Sequence, residues 1–596
     1  MPFDPPTGIY TSALPKVALP DRPLSIYEFL FETDRPYSTA SNALARSDPT
    51  GRTWLIDANS PRTLTFEQAR ARTDDLARAF HAKGLTEGKT LLVFSPNDVD
   101  YAPCLWAAFR QGAIASCANP AYTPPELAYQ IQTVDKHYPV KLILVHPDSV
   151  ETAVKACEIA GFSTALITLI RPPSDSPANT KSLASGFPTI DDLISSTRSK
   201  PLPPKISIKP DEARTRLALL SFSSGTTGVP KAVMIPHFAV IANTLQAGSH
   251  WSRTSPFTPY DAKMKKGDVV MACLPFYHIY GLVVILHGSV YQNTPIVIHP
   301  RFDQRAFLQS IQDHRITSLY LVPPQVIFMV KQEALVKQFD LSSVRMVMAG
   351  AAPLTNDTIS AFRRLFPHIS IGQGYGMTES STIISTMDGS FNFPGASAGL
   401  LVPNIEAKIV SPEGKALPPG QVGELWSRGP ANALGYLNNE QATKETFDAD
   451  GFLHTGDEAY LQADGMLFIT DRIKELIKVS GFQVAPAELE GHLLAHEDVL
   501  DVCVIGIPDE RKGEAPKAYV VPSPAAASRI QSGGARAEEE LAASIKKFVA
   551  DHKIRYKQLV EVEFIDAIPK NPSGKLLRKD LRTRHAQKRT QAAQKL

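Results

Sequence analysis

Ser221-Phe-Ser-Ser-Gly-Thr-Thr-Gly-Val-Pro-Lys231 separates two apolar, strand-like runs, Leu217-Ala-Leu-Leu220 and Ala232-Val-Met-Ile235. Its glycines leave backbone N–H groups open to approach, its serines and threonines add donors, and a lysine closes the loop. That composition suits a polyphosphate. A helix-opening phosphate loop needs Gly-Lys-Ser/Thr, so that the helix N-terminus faces the anion. Here Pro230 precedes the lysine and Ala232-Val233 follow it, which places Lys231 on a strand and argues against a P-loop phosphotransferase. An ordinary glycine-rich hairpin would need neither the hydroxyls nor the lysine.

Outward from this loop the chain alternates strand and helix. Upstream, Leu64 to Gly84 reads as a helix with Thr65 as its N-cap, and strands follow at Thr90–Phe94, Ala113–Cys117, Lys141–Val145 and Ala165–Ile170. Downstream, strands are predicted at Val269–Leu274, Pro295–Ile298, Ser318–Val322 and Arg345–Ala349. This alternation implies parallel sheets with crossover helices. Residues 1–60 are Pro-rich and read as a surface wrap, and residues 171–215 as a long surface connection. Residues 400–470 carry short runs between Pro-Glu-Gly, Pro-Pro-Gly and Ala-Asp-Gly turns, the pattern of a small antiparallel or barrel-like region. A mixed segment follows, with strands at Leu500–Gly506 and Lys517–Val521 and a flexible insertion at 523–537.

At 596 residues the chain is expected to hold several domains. With 62 Lys+Arg against 60 Asp+Glu, no global charge favours nucleic acid or an anionic membrane. Five scattered cysteines form no Cys-x-x-Cys pair, so neither a disulfide framework nor a zinc site is expected. No apolar stretch approaches the roughly 20 residues that span a bilayer, and Met1-Pro-Phe-Asp-Pro-Pro is not a secretory leader. The terminal Gln594-Lys-Leu596 matches two of three positions of a peroxisomal Ser-Lys-Leu address, so the peroxisomal matrix and the cytoplasm are both expected compartments.

Five further stretches carry chemistry. Pro275-Phe-Tyr-His278-Ile-Tyr280-Gly281 sets an imidazole among aromatics, although a packed core histidine is the ordinary reading of such a residue alone. Met348-Ala-Gly350-Ala351-Ala352-Pro-Leu354 is a small-residue turn that lets backbone approach a flat ligand. Gly372-Gln-Gly374-Tyr375-Gly376-Met377-Thr378-Glu379-Ser380 fails the dinucleotide fingerprint but offers an aromatic face, a hydroxyl and a carboxylate. Phe452-Leu-His-Thr-Gly-Asp457 ends in a carboxylate able to accept two hydroxyls. Pro569-Lys-Asn-Pro-Ser-Gly574-Lys575 presents a lysine on a small loop near the end of the chain.

In this order the motifs resemble the adenylate-forming superfamily: acyl-CoA synthetases, 4-coumarate-type CoA ligases, beetle luciferases and peptide-synthetase adenylation domains. The likeness runs from about residue 60 to 585. Asp471-Arg-Ile-Lys-Glu-Leu-Ile-Lys and Gly481-Phe-Gln-Val-Ala-Pro-Ala-Glu-Leu-Glu490 resemble the 4-coumarate–CoA ligase branch most. The resemblance implies an α/β fold: a large N-terminal domain (1–471) of two α/β subdomains plus a small β-barrel-like subdomain, then a small mobile α+β C-terminal domain (472–596). It implies that a carboxylic acid and ATP give acyl-AMP and pyrophosphate, and that CoA then takes the acyl group.

By the same resemblance, Ser223, Ser224, Gly225, Thr226, Thr227, Gly228 and Lys231 cradle the β- and γ-phosphates, Tyr375 stacks on adenine and Thr378 bonds the α-phosphate. Glu379 holds Mg²⁺, Asp457 takes the ribose hydroxyls with Arg472 assisting, and Gly350, Ala351, Ala352, Gly374, Gly376, Met377 and Ile469 complete the nucleotide site. Lys575 reaches the acid and the α-phosphate as they meet, and His278 stands by the carboxylate. Lys474 is the implied hinge, with Lys478, Ser480 and Gly481 facing the CoA channel. His237, Tyr280, Gly281, Val284, Val322, Ile327 and Ala349 are the expected acyl pocket, with a plain helix-start role equally open for His237. Val284 stands where plant hydroxycinnamate ligases usually have a polar residue, so an apolar slot for an aryl, aryl-alkanoic or medium-chain fatty acid is expected. The expected partners are the acid, ATP and CoA, in a monomer or homodimer. Rival readings are transfer to a carrier protein or an oxygenase-type step instead of CoA, and a non-catalytic nucleotide-binding scaffold. Intact Lys231, Glu379, Asp457 and Lys575 speak against the scaffold.

Overall fold

The computed structural model describes residues 2–593 except 45, 174–177, 224–229, 252–266, 388–396, 481, 510 and 572–573. Ser224, Gly225, Thr226, Thr227, Gly228, Gly481 and the terminal Gln594-Lys-Leu596 therefore lie outside the described residues.

Two sheets build the large domain. In the first, Leu217–Ser223 joins the parallel strands Ile114–Ala118, Thr90–Phe94, Val140–Val145 and Ile167–Leu169, while Lys231–Pro236 closes its edge as an antiparallel hairpin partner. The hairpin register sets Lys231 opposite Ser223. In the second sheet, Thr53–Asp57, Ile296–Ile298, Val270–Ala272, Ser318–Leu321, Met346–Ala349 and Ser370–Met377 run parallel. The antiparallel region expected at 400–470 is hydrogen-bonded onto that parallel half through Thr382–Thr386 and Gly399–Leu401 as one continuous path. The expected parallel strands and crossover helices are thus present, and the helix after Thr65 starts with a capping box to Gln68 and ends before Gly84.

Two expectations need correction. Residues 1–60 do more than wrap a surface: Ser25 and Glu28 cap the helix Ile26–Phe31, whose Leu30 and Phe31 sit in the main core. The insertion read at 523–537 is helical, part of Pro524–His552, started by Ser523 bonding Ala526 N–H and by proline in the first turn. Its Pro-Ala-Ala-Ala opening favours helix more than Gly533-Gly534 disfavours it; the glycines leave only a kink, at Gly534 (φ 59°, ψ −149°).

The small domain is a sheet of Gly513–Pro522 flanked by Val499–Asp509, Ile477–Val479 and the parallel Glu561–Phe564, with the helices Pro486–Leu493 and Pro524–His552 on its own core. Arg578 fastens its last helix: the guanidinium donates to Glu475, to both Glu490 oxygens (2.8 and 2.7 Å) and to the Val504 carbonyl. Among the described residues, no helix is long and apolar enough to cross a membrane.

Burial holds three core histidines neutral: His237 is pushed down to about 3, and His287 and His299 to about 4. The unfolded chain binds these protons near pH 6.5 and the folded chain does not, so their contribution is complete above pH 6.5 and is lost as pH falls toward 4. Each adds up to about 1.4 kcal/mol per pH unit of acid destabilisation in that window. Thermal unfolding midpoints recorded from pH 7 to pH 4.5 should fall accordingly, and less steeply in His299→Gln; parallel slopes would refute the assignment to His299.

Candidate active site

Strand ends from both sheets meet at Glu379. The strand Ser370–Met377 delivers the turn Thr378–Ser380, and left-handed Ser381 (φ 52°) with Thr382 (φ 121°) reverses the chain there. Gly376 has to be glycine: a Cβ would lie 1.5 Å from the Thr382 carbonyl oxygen. Glu379 is buried, and its Oε1 accepts from Ser223 Oγ (3.2 Å) and Tyr436 Oη (2.8 Å). Lys231 Nζ stands 4.8 Å from the Tyr436 ring centroid. The phosphate-loop strand and the Thr-Glu turn, expected separately, are thus brought together.

A second cluster joins Tyr375, on the same strand, to the pair Leu453–Leu461 and Met466–Arg472. Leu453–Leu461 and Met466–Arg472 pair antiparallel with Asp457 opposite Arg472, and Arg472 Nε bonds Asp457 Oδ1 at 3.0 Å. Tyr375 Oη donates to Oδ2 at 2.6 Å, so the Gly-Tyr-Gly and Thr-Gly-Asp motifs form one site. Each carboxylate oxygen keeps a second lone pair for an incoming diol. Half-buried Ile469 packs at the edge of the core nearby.

Lys575 enters this region from the small domain. Asn571 closes its loop, accepting from Lys575 N–H and donating to its carbonyl, and Gly574 (φ 79°) lies so close to Val322 that a Cβ would be 3.0 Å from Cγ2. Burial, and next the Arg472 charge, lower the Lys575 ammonium to about 8, against the pull of Glu475, Asp457 and Glu379. His278 is pushed down to about 4 by its surroundings and then by Lys575, so it is neutral at pH 7. Tyr280 N–H donates to its Nδ1 (3.3 Å), which leaves the ring proton on Nε2.

The acyl-pocket expectations divide. Tyr280–His287 forms a π-helical stretch, a wide turn of the kind frequent at functional sites, and it carries buried Tyr280, Gly281 and Val284. Tyr280 Oη donates to the Met348 carbonyl (3.3 Å), its ring covers Gly350, and Gly281 sits where a Cβ would be 2.1 Å from the Pro275 carbonyl oxygen. Val322 shares the core with Tyr280 and Val284. Ala349 does not: strand alternation turns Met346 and Met348 toward that core and Val347 and Ala349 toward the one behind the sheet. Met348, unassigned in the sequence, takes the near side. Ile327 is half-buried on the helix Pro323–Lys331 and belongs to neither core. His237 serves the scaffold, accepting the Ile26 N–H on Nδ1 (3.2 Å) and packing edge-on against Phe109, which favours its helix-start reading.

Gly350 N–H bonds the Leu321 carbonyl and Ala351 is left-handed (φ 70°), which presents the backbone of Gly350, Ala351 and Ala352 as a tight turn; Gly374 and Met377 lie on the strand before Thr378. Lys474, Lys478 and Ser480 (φ 51°) are exposed on the small domain. Asp471, on the strand Met466–Arg472, accepts the Ala487 N–H (3.1 Å) at the start of the helix Pro486–Leu493, which has no side-chain cap of its own. Tyr436 was not legible as a site residue, since Leu434-Gly-Tyr-Leu437 reads as another short barrel run.

For a magnesium ion, the donor set fits. Among the described residues, the Glu379 carboxylate is bonded by hydroxyls on Oε1 alone, and Mg²⁺ is commonly held by one or two carboxylates plus substrate phosphates. Among the described residues there is no preformed cluster of three or more metal-ligating side chains.

A family model described as "AMP-binding enzyme" matches residues 42–437, and one described as "AMP-binding enzyme C-terminal domain" matches residues 488–575. The chain is 35% identical over 583 residues to 4-coumarate–CoA ligase 5 of Oryza sativa subsp. japonica, covering 97% of each. It is 37% identical over 537 residues to a probable CoA ligase of Humulus lupulus, covering 89% of this chain and 90% of the relative. Among solved structures, an ATP-bound chimera of RpMatB and BxBclM aligns at TM-score 0.74 and 26% identity over 94% of this chain and 98% of that one. An anthranilate CoA ligase in complex with anthranoyl-AMP aligns at TM-score 0.77 and 23% identity over 94% and 97%.

Proposed function

Because the chain belongs to the AMP-binding enzyme family and is an AMP-forming acid–CoA ligase, we propose a division of its two half-reactions among the residues described above. The observation that carries this reading is the seating of the Lys575 loop, through Gly574, against Val322 of the large domain, where the ammonium feels the charges of Arg472, Asp457 and Glu379. Bringing a carboxylate to the α-phosphate sets two anions against each other, and an ammonium already in place acts where charge develops.

Ser223 and Lys231 hold the β- and γ-phosphates together with the hydroxyls of 224–228, Thr378 bonds the α-phosphate, and Tyr375 backs the adenine. Asp457 takes the ribose hydroxyls while Arg472, bonded to one of its oxygens, keeps the carboxylate aimed. Glu379 would hold Mg²⁺, which neutralises phosphate charge as pyrophosphate leaves. Neutral His278 offers its Nε2–H to the acid carboxylate without competing with Lys575 for the role of cation. Once pyrophosphate has left, the small domain turns about the segment at Lys474, withdraws Lys575 and brings Lys478, Ser480 and Gly481 to the CoA thiol.

The acid is apolar behind its carboxylate. Tyr280, Val284, Val322 and Met348 put no charged group there, and the matched relatives' names, 4-coumarate and anthranilate, are those of aromatic acids. The substrate class is therefore an aryl or aryl-alkanoic acid, with medium-chain fatty acids as competitors that such a wall discriminates poorly. A panel of cinnamic, benzoic, phenylalkanoic and C6–C12 acids, scored for pyrophosphate release with and without CoA, tests it. Aryl acids should give the highest kcat/KM and form thioester with CoA. Preference for a charged or strongly polar acid would overturn the pocket assignment.

A further inference from the structure

The segment 433–437 ties together the two sheets that build the triphosphate end of the site. On one side it runs along the Lys231 strand: Met234 N–H bonds the Gly435 carbonyl, Leu434 N–H the Met234 carbonyl and Leu437 N–H the Ala232 carbonyl, each at 2.9 Å. On the other side, Ala433 N–H bonds the Glu379 carbonyl at 2.8 Å. Between these anchors stands Tyr436, its N–H held by Thr443 Oγ1 (2.9 Å) and its side chain 7% exposed. Its two ends do different things. The phenol donates to Glu379 Oε1, and the ring face takes the Lys231 ammonium.

We propose that Tyr436 is the positioning residue that fixes the spacing between Lys231 and Glu379, and thereby sets the enzyme's affinity for the metal–triphosphate end of its nucleotide. Lys231 lies on the first sheet and Glu379 on the turn that follows a strand of the second, and no direct contact joins their side chains among the bonds described. An unheld lysine has four rotatable side-chain bonds and a glutamate three, so without Tyr436 binding must order both groups. With it, one rigid ring presents a cation and a carboxylate whose bonds among the described residues, from Ser223 and Tyr436, both fall on the same oxygen. This rests on the assignment of Lys231 and Glu379 to the metal–triphosphate.

The test compares Tyr436→Phe and Tyr436→Leu with Lys231→Ala and Glu379→Gln. Calorimetric binding of MgATP, magnesium titration of that binding, and the two half-reactions are measured separately, the second from supplied acyl-AMP and CoA. Tyr436→Phe keeps the ring and loses only the hydrogen bond to a charged group; it should weaken MgATP binding and raise half-saturating Mg²⁺ about tenfold. Tyr436→Leu also loses the ammonium contact and should weaken binding further. Thioester formation from supplied acyl-AMP by Tyr436→Phe should stay at the parent value. Equal loss of both half-reactions, or unaltered MgATP binding in Tyr436→Phe while Lys231→Ala and Glu379→Gln weaken it, would overturn the role of Tyr436. If Lys231→Ala and Glu379→Gln themselves leave MgATP binding intact, the site assignment falls first.

Discussion

Lys575→Ala should slow acyl-adenylate formation by about 100- to 1,000-fold, the range seen when one preorganised group facing developing charge is removed. Thioester formation from supplied acyl-AMP should survive, because that step follows after the α-phosphate has been attacked. The same lysine gives the first step a pH signature. Its ammonium is lowered to about 8, so in the free enzyme the cation is lost as pH rises through that value, and kcat/KM for adenylation should decline on the alkaline side. Lys575→Arg would keep its charge there; whatever activity it retains should lack the decline. Stopped-flow or pyrophosphate-exchange rates between pH 6.5 and 9.5 measure both effects. Equal loss of the two half-reactions in Lys575→Ala would refute the assignment.

Arg578→Ala is expected to destabilise the small domain by about 3–5 kcal/mol, the usual cost of removing one partner from a buried ion pair. Arg578 is nearly buried and neutralises Glu475 and Glu490, while Asp471 close by is already raised to about 6 by burial. Without the guanidinium, three carboxylates face one another in a low-dielectric site, and Asp471 loses the charge that opposes its burial-raised pKa. The defect should therefore be worst at pH 8 and ease as pH falls and Asp471 takes up its proton. Arg578→Lys should recover only part of the loss, since one ammonium cannot serve two carboxylates and a carbonyl in a planar fork. Thermal melts at pH 8 and pH 5.5 give the comparison; a variant that melts like the parent at both values would rule out a structural ion cluster.

What could be read from the sequence was whatever is written locally. The hydroxyl-rich loop ending in Pro230-Lys231 announced a strand lysine, and β-branched runs bounded by glycine and proline announced the parallel strands. Lys575 was legible because a Gly-Lys pair on a polar loop is distinctive. Tyr436 was not, because its meaning depends on two sheets meeting, and neither its neighbours nor its spacing records that. Ala349 was misplaced for a related reason: the small-residue turn was visible, but the side that each residue of the strand faces is fixed by register in the sheet. The helix Pro524–His552 was missed because paired glycines were given more weight than the alanines around them.

The contact between Gly574 and Val322 has a consequence for substrate choice. The glycine beside Lys575 closes directly onto a residue of the proposed acyl wall, so tightly that a methyl between them would make Val322 shift. An acid that pushes Val322 outward would hold the lysine's loop off its seat, so a poor substrate could bind well and still fail to be activated. Fit would then be judged when the small domain docks, and selectivity among acids would appear in kcat more than in KM.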